Sequence, residues 1–352
     1  MGTPTIDPAT PDDNVVIKET RLKNSRPAGI TRRAALATLA AASGAGLHAA
    51  PAAPARVDFS GKPLKIIVPF TAGGSSDIIA RAISVPLGEA LGTSVVVENK
   101  VGANGNIGAD FVAKSPADGH TLLLCDVRAL AISPSFYKLP FNPAKDLQGV
   151  AMLAYSPHLL VVHPSVPANN LKELVELSQR KPLSFAVTAL GSAPHLAGVQ
   201  VAERAKAKWT FVPYKGGSQA INDTIAGQTD VLMNGMLATL PFVQAKRLKI
   251  LAVSKLTRVA LLPDVPTIAE TLPGFESGTW QGVMGPAGMP PAVLARISAE
   301  LLRVIRLPAV REQLVAQGAE VSTMAPPEIT RFVDVEIKHW AGVVSKAGLK
   351  LE

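Results

Sequence analysis

The chain has 352 residues, 47% of them hydrophobic and 18% charged, with one cysteine, Cys125. This length exceeds one typical domain of about 100–200 residues and favours two. The composition excludes a disordered chain, and a single cysteine excludes an intrachain disulfide framework or a Cys-rich zinc site. Lys and Arg number 35 against 27 Asp and Glu, a net charge of +8. The basic residues are scattered and there are only three Tyr, so the charge reads as a solvated surface and no nucleic-acid partner is expected.

Residues 1–27 are polar and Pro-rich, with no apolar periodicity. Thr31-Arg32-Arg33 then precedes an Ala/Leu-rich run over 34–50 and an Ala-Pro stretch to Ala55. Positive charge, a short apolar run and small residues in that order predict a secretory signal, and the paired arginines fit the twin-arginine type. Leu47-His48-Ala49 and Ala53-Pro54-Ala55 offer cleavage points. The run is shorter than a spanning helix of about 20 residues, and Ser43, Gly44, Gly46 and His48 dilute it. Residues 1–55 are therefore expected to be an export signal and disordered leader. They hold six Lys/Arg and four Asp/Glu, so the charge falls to +6 without them.

From Val57 onward short apolar runs alternate with helical patterns. Strands are predicted at 64–68, 94–98 and 121–125, with helices at 76–91 and 106–113. After Pro164 the alternation resumes. Helices are predicted at 171–177, 195–207 and 220–226, and strands at 184–187, 209–212, 231–233 and 248–254. Residues 149–163 hold two apolar runs split by Ser156-Pro157, and 277–284 form a later extended candidate. The last ninety residues are mostly helical, at 292–305, 309–317 and 328–344. Such alternation predicts parallel sheets covered by helices on both faces. Two connecting strands would let the last helical block return to a first lobe, which gives residues 56–160 with 280–352 as lobe 1 and 161–279 as lobe 2. Ligands in open α/β sheets sit at the carboxyl ends of strands, often between domains.

The strand-to-helix turns therefore carry the candidate chemistry. In Pro69-Phe70-Thr71-Ala72-Gly73-Gly74-Ser75-Ser76-Asp77, paired glycines permit close backbone approach. The helix start adds unsatisfied N–H groups, the positive end of its dipole, and hydroxyls. A plain tight turn, with Asp77 stabilising the first helical turn, explains the same residues. Gly191-Ser192-Ala193-Pro194-His195 is ordinary helix-start chemistry in which His195 caps or contacts a ligand. Tyr214-Lys215-Gly216-Gly217-Ser218 and Met233-Asn234-Gly235 are two further openings. Their convergence would make a site for a small anion. Asp126 and Arg128 bracket a strand end, either facing the cleft or forming a surface ion pair.

Enzyme motifs fail. Gly102-Ala103-Asn104-Gly105-Asn106-Ile107-Gly108 has GxxGxxG spacing and not the dinucleotide fingerprint, and no GxxxxGK[ST] is present. Lys215-Gly216-Gly217-Ser218-Gln219-Ala220 lacks the second glycine of a nucleophile elbow. His120, His158, His163, His195 and His339 are dispersed without metal spacing, so no metal and no cofactor is expected. Cys125 reads as a small buried hydrophobe.

The opening Lys65-Ile66-Ile67-Val68-Pro69-Phe70-Thr71-Ala72-Gly73-Gly74-Ser75-Ser76-Asp77 resembles that of the Bug/TctC proteins, extracytoplasmic solute receptors associated with tripartite tricarboxylate transporters. The likeness continues through Val95-Val96-Val97-Glu98-Asn99-Lys100, Gly105-Asn106-Ile107-Gly108 and Ala117-Asp118-Gly119-His120-Thr121-Leu122-Leu123. It returns at Pro194-His195-Leu196-Ala197-Gly198, Val212-Pro213-Tyr214-Lys215-Gly216, Leu262-Pro263-Asp264-Val265-Pro266-Thr267 and Pro286-Ala287-Gly288. The resemblance implies a bilobed type II periplasmic binding protein fold, with two doubly wound lobes closing over an organic acid or amino acid. It implies binding of the ligand carboxylate by Phe70, Thr71, Ala72, Gly73, Gly74, Ser75 and Asp77 from lobe 1, and by Ser192, His195, Gly216 and Asn234 from lobe 2. Many relatives carry small residues after the third strand, where this chain has Asp126-Val127-Arg128. Asp126 and Arg128 are accordingly added to the candidate site, Arg128 pairing with a distal carboxylate through its bidentate fork.

The expected protein is thus a monomeric periplasmic receptor, not an enzyme, whose partners are a small carboxylate and the membrane permease subunits of a tripartite tricarboxylate-type transporter. The alternatives are an orphan receptor signalling to a sensor partner, and an α/β-fold enzyme acting on a small acid.

Overall fold

The β-branched run Leu64–Val68 forms strand β1, and Ser75–Leu91 follows it as helix α1. This computed structural model describes residues 57–347, so the expected export signal at 1–55 lies outside the described residues. The chain continues through β2 (Val95–Asn99), α2 (Asn106–Ala113), β3 (Thr121–Asp126), α3 (Val127–Ile132) and the long strand β4 (Leu147–Val162). A second set follows: α4 (Leu171–Arg180), β5 (Leu183–Val187), α5 (Ala193–Ala205), β6 (Trp209–Pro213), α6 (Gly217–Ile225), β7 (Val231–Gly235), α7 (Met236–Gln244) and β8 (Lys249–Val253). The chain then returns through β9 (Gly278–Pro286), α8 (Pro291–Val304), α9 (Pro308–Ala316), β10 (Glu320–Val321) and α10 (Pro326–Ala347).

The strands join in the order β2-β1-β3-β9-β4-β7-β5-β6, with β8 and β10 also pairing with β4. Within each half the sheet is parallel, β1 between β2 and β3, and β5 between β6 and β7. The crossing strands depart from the parallel expectation. β9 runs antiparallel to β3 and β4, and β4 antiparallel to β7 and β8, because each enters one half from the other. β4 is one strand and not two. Its pairing with β9 ends at Pro157, opposite Gly278, and its pairing with β7 begins at His158, opposite Gly235. Proline lacks a ladder donor, so it is tolerated where the strand changes partners.

Alternation along the strands buries both sheet faces. Ile66, Val68, Leu122 and Leu124 pack with Ile79, Ile83 and Leu87 of α1 and Leu301 of α8. Ile67, Leu123 and Cys125 face the other way, onto Val112 of α2 and Ile329 and Val333 of α10. In the second half Phe185 and Val187 face one core while Ala186 and Leu232 face the other. Each fully buried aliphatic side chain contributes roughly 1.5–3 kcal/mol. Cys125 sits inside this packing, where burial and the neighbouring Asp126 charge push its thiol pKa far up.

Helices α3 and α7 carry no periodic signature in the sequence. α3 has only six residues. α7 is buried at five consecutive positions, Met236 to Leu240, and contains Pro241, so it shows no polar face and reads as broken. Among the described residues no helix is long and apolar enough to cross a membrane.

Candidate functional site

The carboxyl ends of β1, β3, β5, β6 and β7 each feed a helix, and these helix starts surround one cavity of about 60 Å³. That volume holds a molecule the size of a few waters at about 10–15 Å³ each. Phe70, Gly74, Ser75 and Ser76 line it from the start of α1, and Asp126 and Ala129 from the start of α3. Thr188, Ala189, Ser192 and Pro194 come from the turn into α5, Gly217 from α6, and Asn234 from the end of β7. Thr279 and Gln281 complete the wall from β9. Of the residues expected at the site, Phe70, Gly74, Ser75, Asp126, Ser192 and Asn234 thus share one cavity.

Three of the five helices open on glycine, Gly74 before α1, Gly216 before α6 and Gly235 before α7, and none of these supplies a side-chain cap; at α7 Ser156 Oγ instead accepts the Leu237 N–H at 3.0 Å. The first N–H groups of a helix have no intrahelical partner, and with the dipole they make a positive pole. At α5 the Ser192 hydroxyl accepts the N–H of His195 at 3.3 Å and exchanges a 3.1 Å bond with Thr188. Asn234 is buried and donates through Nδ2 to Thr239 at 3.2 Å.

Several expected residues lie behind the cavity surface. Asp77 is buried, and its carboxylate accepts the N–H of Gly73 at 2.9 Å, Nε of Arg81 at 2.9 Å and Nδ2 of Asn99 at 3.0 Å. Burial alone would raise its pKa, but these bonds together hold it below the ordinary carboxylate value. Asp77 thereby fixes Gly73 at φ +79°, a left-handed conformation that favours glycine, and shapes the turn from beneath. His195 accepts the Gly191 N–H on Nδ1 at 3.0 Å and meets the Phe211 ring edge-on. Burial pushes its pKa down to about 4, so the ring is neutral and braces the turn that presents Ser192. Neither side chain lines the cavity.

Thr71, Ala72, Gly73 and Gly216 stand where the two halves touch. Ser218 Oγ donates to the Ala72 carbonyl at 2.6 Å, and Thr71 Oγ1 lies 3.4 Å from Ser218 Oγ. A Cβ on Gly216 would collide with Thr71 Oγ1. Tyr137 donates across the gap to the Leu190 carbonyl at 3.1 Å, and Trp340 of α10 packs on Ala193 and Leu196. These contacts join the two halves across the cavity.

Arg128 departs from its expected role. Its Nε pairs with Glu336 of α10 at 2.9 Å and its Nη1 points to the Gly278 carbonyl, 3.4 Å away. The reason is local: Asp126 caps α3, accepting the Arg128 N–H at 3.1 Å, and the short helix turns the residue 128 side chain out toward α10. The guanidinium lines a separate cavity with Tyr155, Lys255, Glu276, Trp280 and Glu320. Asp126 does line the interlobe cavity. Burial raises its pKa to about 6, opposed by the Arg128 charge and by N–H bonds from Trp280, Arg128 and Ala129.

The sequence reading took Ser76 only as a hydroxyl of the first turn and missed Thr188, Thr279 and Gln281. Thr279 and Gln281 had a signal, two polar residues two apart in an otherwise apolar strand, which alternation places on one face. Gln281 accepts the Ser76 hydroxyl at 2.7 Å, tying β9 to the start of α1. Among the described residues no His, Cys, Asp or Glu cluster could hold a metal.

The sequence matches the family of tripartite tricarboxylate transporter receptors, TctC, over residues 79–349. The chain belongs to this family. It is 36% identical to the protein BugT of Bordetella pertussis over 310 residues, 86% of this chain and 94% of that protein. The solved periplasmic binding protein BugD superposes with a TM-score of 0.79 at 32% identity, covering 84% of this chain and all of that one. The R. palustris protein Rpa4515, solved with adipate, gives 0.80 at 32% identity over 83% of this chain and 99% of that one. The fold of this TctC member is accordingly the bilobed α/β fold of type II periplasmic binding proteins, in a family of solute-binding receptors and not of enzymes.

Proposed function

We propose that this TctC-family protein captures a small organic acid between its lobes and delivers it to the permease subunits of a tripartite tricarboxylate-type transporter. The observation that carries the reading is the convergence of helix starts on one small cavity, with α1 and α6 opening on uncapped glycines. Main-chain N–H groups there, with the hydroxyls of Ser75 and Ser192, replace the water around a carboxylate without a countercharge. In this reading Phe70, Gly74, Ser75, Ser192 and Asn234 touch the ligand. Thr71, Ala72, Gly73 and Gly216 form the closing seam, while Asp77 and His195 hold the turns in place.

The lobes divide as 56–160 with 280–352, and 161–279, and hinge where β4 changes partners at Pro157. Binding energy released on closure shifts the population toward the form that presents a surface to the permease. Residues 1–55 direct export to the periplasm, and the receptor acts there as a monomer. The adipate in Rpa4515 supports an acid as ligand.

The test is calorimetry and thermal shift of the purified protein against mono-, di- and tricarboxylates and amino acids. A true ligand raises the melting point according to RT ln(1 + [L]/Kd) and is recovered unchanged. Turnover of the bound acid, or no stabilisation by any of them, overturns the reading.

A further inference from the structure

The wall of the interlobe cavity contains one ionisable side chain, and it is an acid. Among its lining residues every group but Asp126 is a hydroxyl, an amide, a backbone group or a hydrocarbon. Asp126 is 5% exposed, and its Oδ1 accepts two neutral donors, the N–H groups of Arg128 and Trp280, both at 3.1 Å. Those bonds hold the carboxylate in position without cancelling its charge. The nearest cation in sequence, the Arg128 guanidinium, is already paired with Glu336.

A second observation lies directly behind it. A smaller cavity of about 10 Å³ shares Phe70, Asp126 and Ala129 with the first and is closed by Asn104 and Asn106. Asn106 is 5% exposed, and its buried Nδ2 has no protein partner; both amide atoms of Asn104 are likewise buried and unpartnered. Leaving such groups unpaired is costly, so a polar group belongs there. The volume matches a single water, which needs two to four polar partners. The wall therefore carries an acid backed by amides beside the start of α1, since Asp126 stands opposite Gln281, the acceptor of the Ser76 hydroxyl, while the rest of the wall offers neutral donors.

We propose that the cleft selects short zwitterions, acids that carry an ammonium group as well as a carboxylate. The carboxylate lies on the helix starts and the ammonium on Asp126. This rests on the receptor reading above and names its ligand class. An ammonium brings three donors to an acceptor-only carboxylate, and the pair forms inside a cavity that excludes bulk water. A dicarboxylate of the same length would bring its second negative charge against Asp126. A hydroxy acid supplies a donor but no charge.

The experiment is calorimetry at pH 7.5 on the purified protein and on Asp126→Asn. The probes are α- and ω-amino acids of three to five carbons, the hydroxy acids of matching length and the corresponding dicarboxylates. The expected result is an amino acid bound at least tenfold more tightly than either counterpart. Asp126→Asn, whose Oδ1 still accepts the Trp280 and Arg128 N–H groups, should lose tenfold or more for the amino acid and gain for the dicarboxylate. A wild-type preference for the hydroxy acid or the dicarboxylate overturns the proposal and leaves the receptor reading standing, whatever the variant does. An unchanged amino-acid to dicarboxylate ratio in a folded Asp126→Asn also overturns it. If no acid of any class binds, the receptor reading falls first and takes the proposal with it.

Discussion

The helix starts around the interlobe cavity are built from the same device, a strand that feeds a helix, yet they offer opposite electrostatics. At α1 and α6 the residue before the helix is glycine, with no side chain to cap the first N–H groups. At α3 the same position is Asp126, whose carboxylate takes the Arg128 N–H for itself and leaves a negative charge on the wall. Ser192, before α5, is intermediate, a neutral hydroxyl that caps His195 and still lines the cavity. The lesson is that one position sets whether a helix start attracts an anion or repels it. Glycine leaves the donors to the ligand; aspartate commits them and reverses the sign.

The largest expected effect breaks the set of donors. Gly216 has φ 173°, an extended conformation open to any residue, so a side chain there acts by bulk alone. Gly216→Val would drive into Thr71 and hold the lobes apart. Calorimetry should show ligand affinity reduced about 100-fold, roughly 2.7 kcal/mol, with a larger radius of gyration in solution scattering. Affinity within threefold of wild type would mean that the seam is irrelevant to binding. Asp77→Ala comes next, because it removes the carboxylate that the Gly73 N–H and the Asn99 amide share. Urea unfolding should register a loss of about 1–2 kcal/mol. A loss below about 0.5 kcal/mol would show that the donor turn keeps its shape without that carboxylate.

The acidic wall is sharpened by pH. Asp126 has a folded pKa of about 6, above the ordinary 3.8. Its favourable contribution is therefore complete below pH 3.8 and lost as pH rises through 6. Asp126→Asn should stabilise the ligand-free protein by about 2–3 kcal/mol at pH 7.5, and that advantage should vanish near pH 4. His158 and His195 act in the opposite sense. Burial, joined at His158 by the Arg128 charge, lowers them to about 3 and about 4. Their contribution is complete above pH 6.5 and is lost as pH falls toward those values. Unfolding of the pair of proteins across pH 4–8 tests both signs at once, and a pH-independent difference between them would contradict the acidic wall. The smallest effect belongs to Ser218→Ala, which removes the short bond to the Ala72 carbonyl and the longer one from Thr71 across the seam. It should weaken ligand binding two- to tenfold, consistent with about 0.5–1.5 kcal/mol for a neutral hydrogen bond. No change would assign closure to Tyr137 and Trp340.

Much of the fold was legible because each element carried its own period. The run at 64–68 became β1 unchanged, and 106–113 became α2 unchanged. Helices without a polar face, such as α7, left no trace of that kind. At the site, glycine and serine at helix starts were readable one turn at a time, since capping is a local property. Arg128 was not readable, because its partner Glu336 lies 208 residues away on α10. Nor was the division of labour in the first turn, where Asp77 works from beneath and Ser76 reaches Gln281 on a returning strand.

The sequence by itself determined the alternation of strands and helices, the family, and the residue type standing before each helix, because those depend on neighbours within a few positions. Only the tertiary structure decided which helix starts face one another, which cation is already paired, and that an acid stands alone on the cavity wall. Those outcomes depend on distances between segments far apart in the chain, and a charge acquires its effect only from what surrounds it once the lobes have closed.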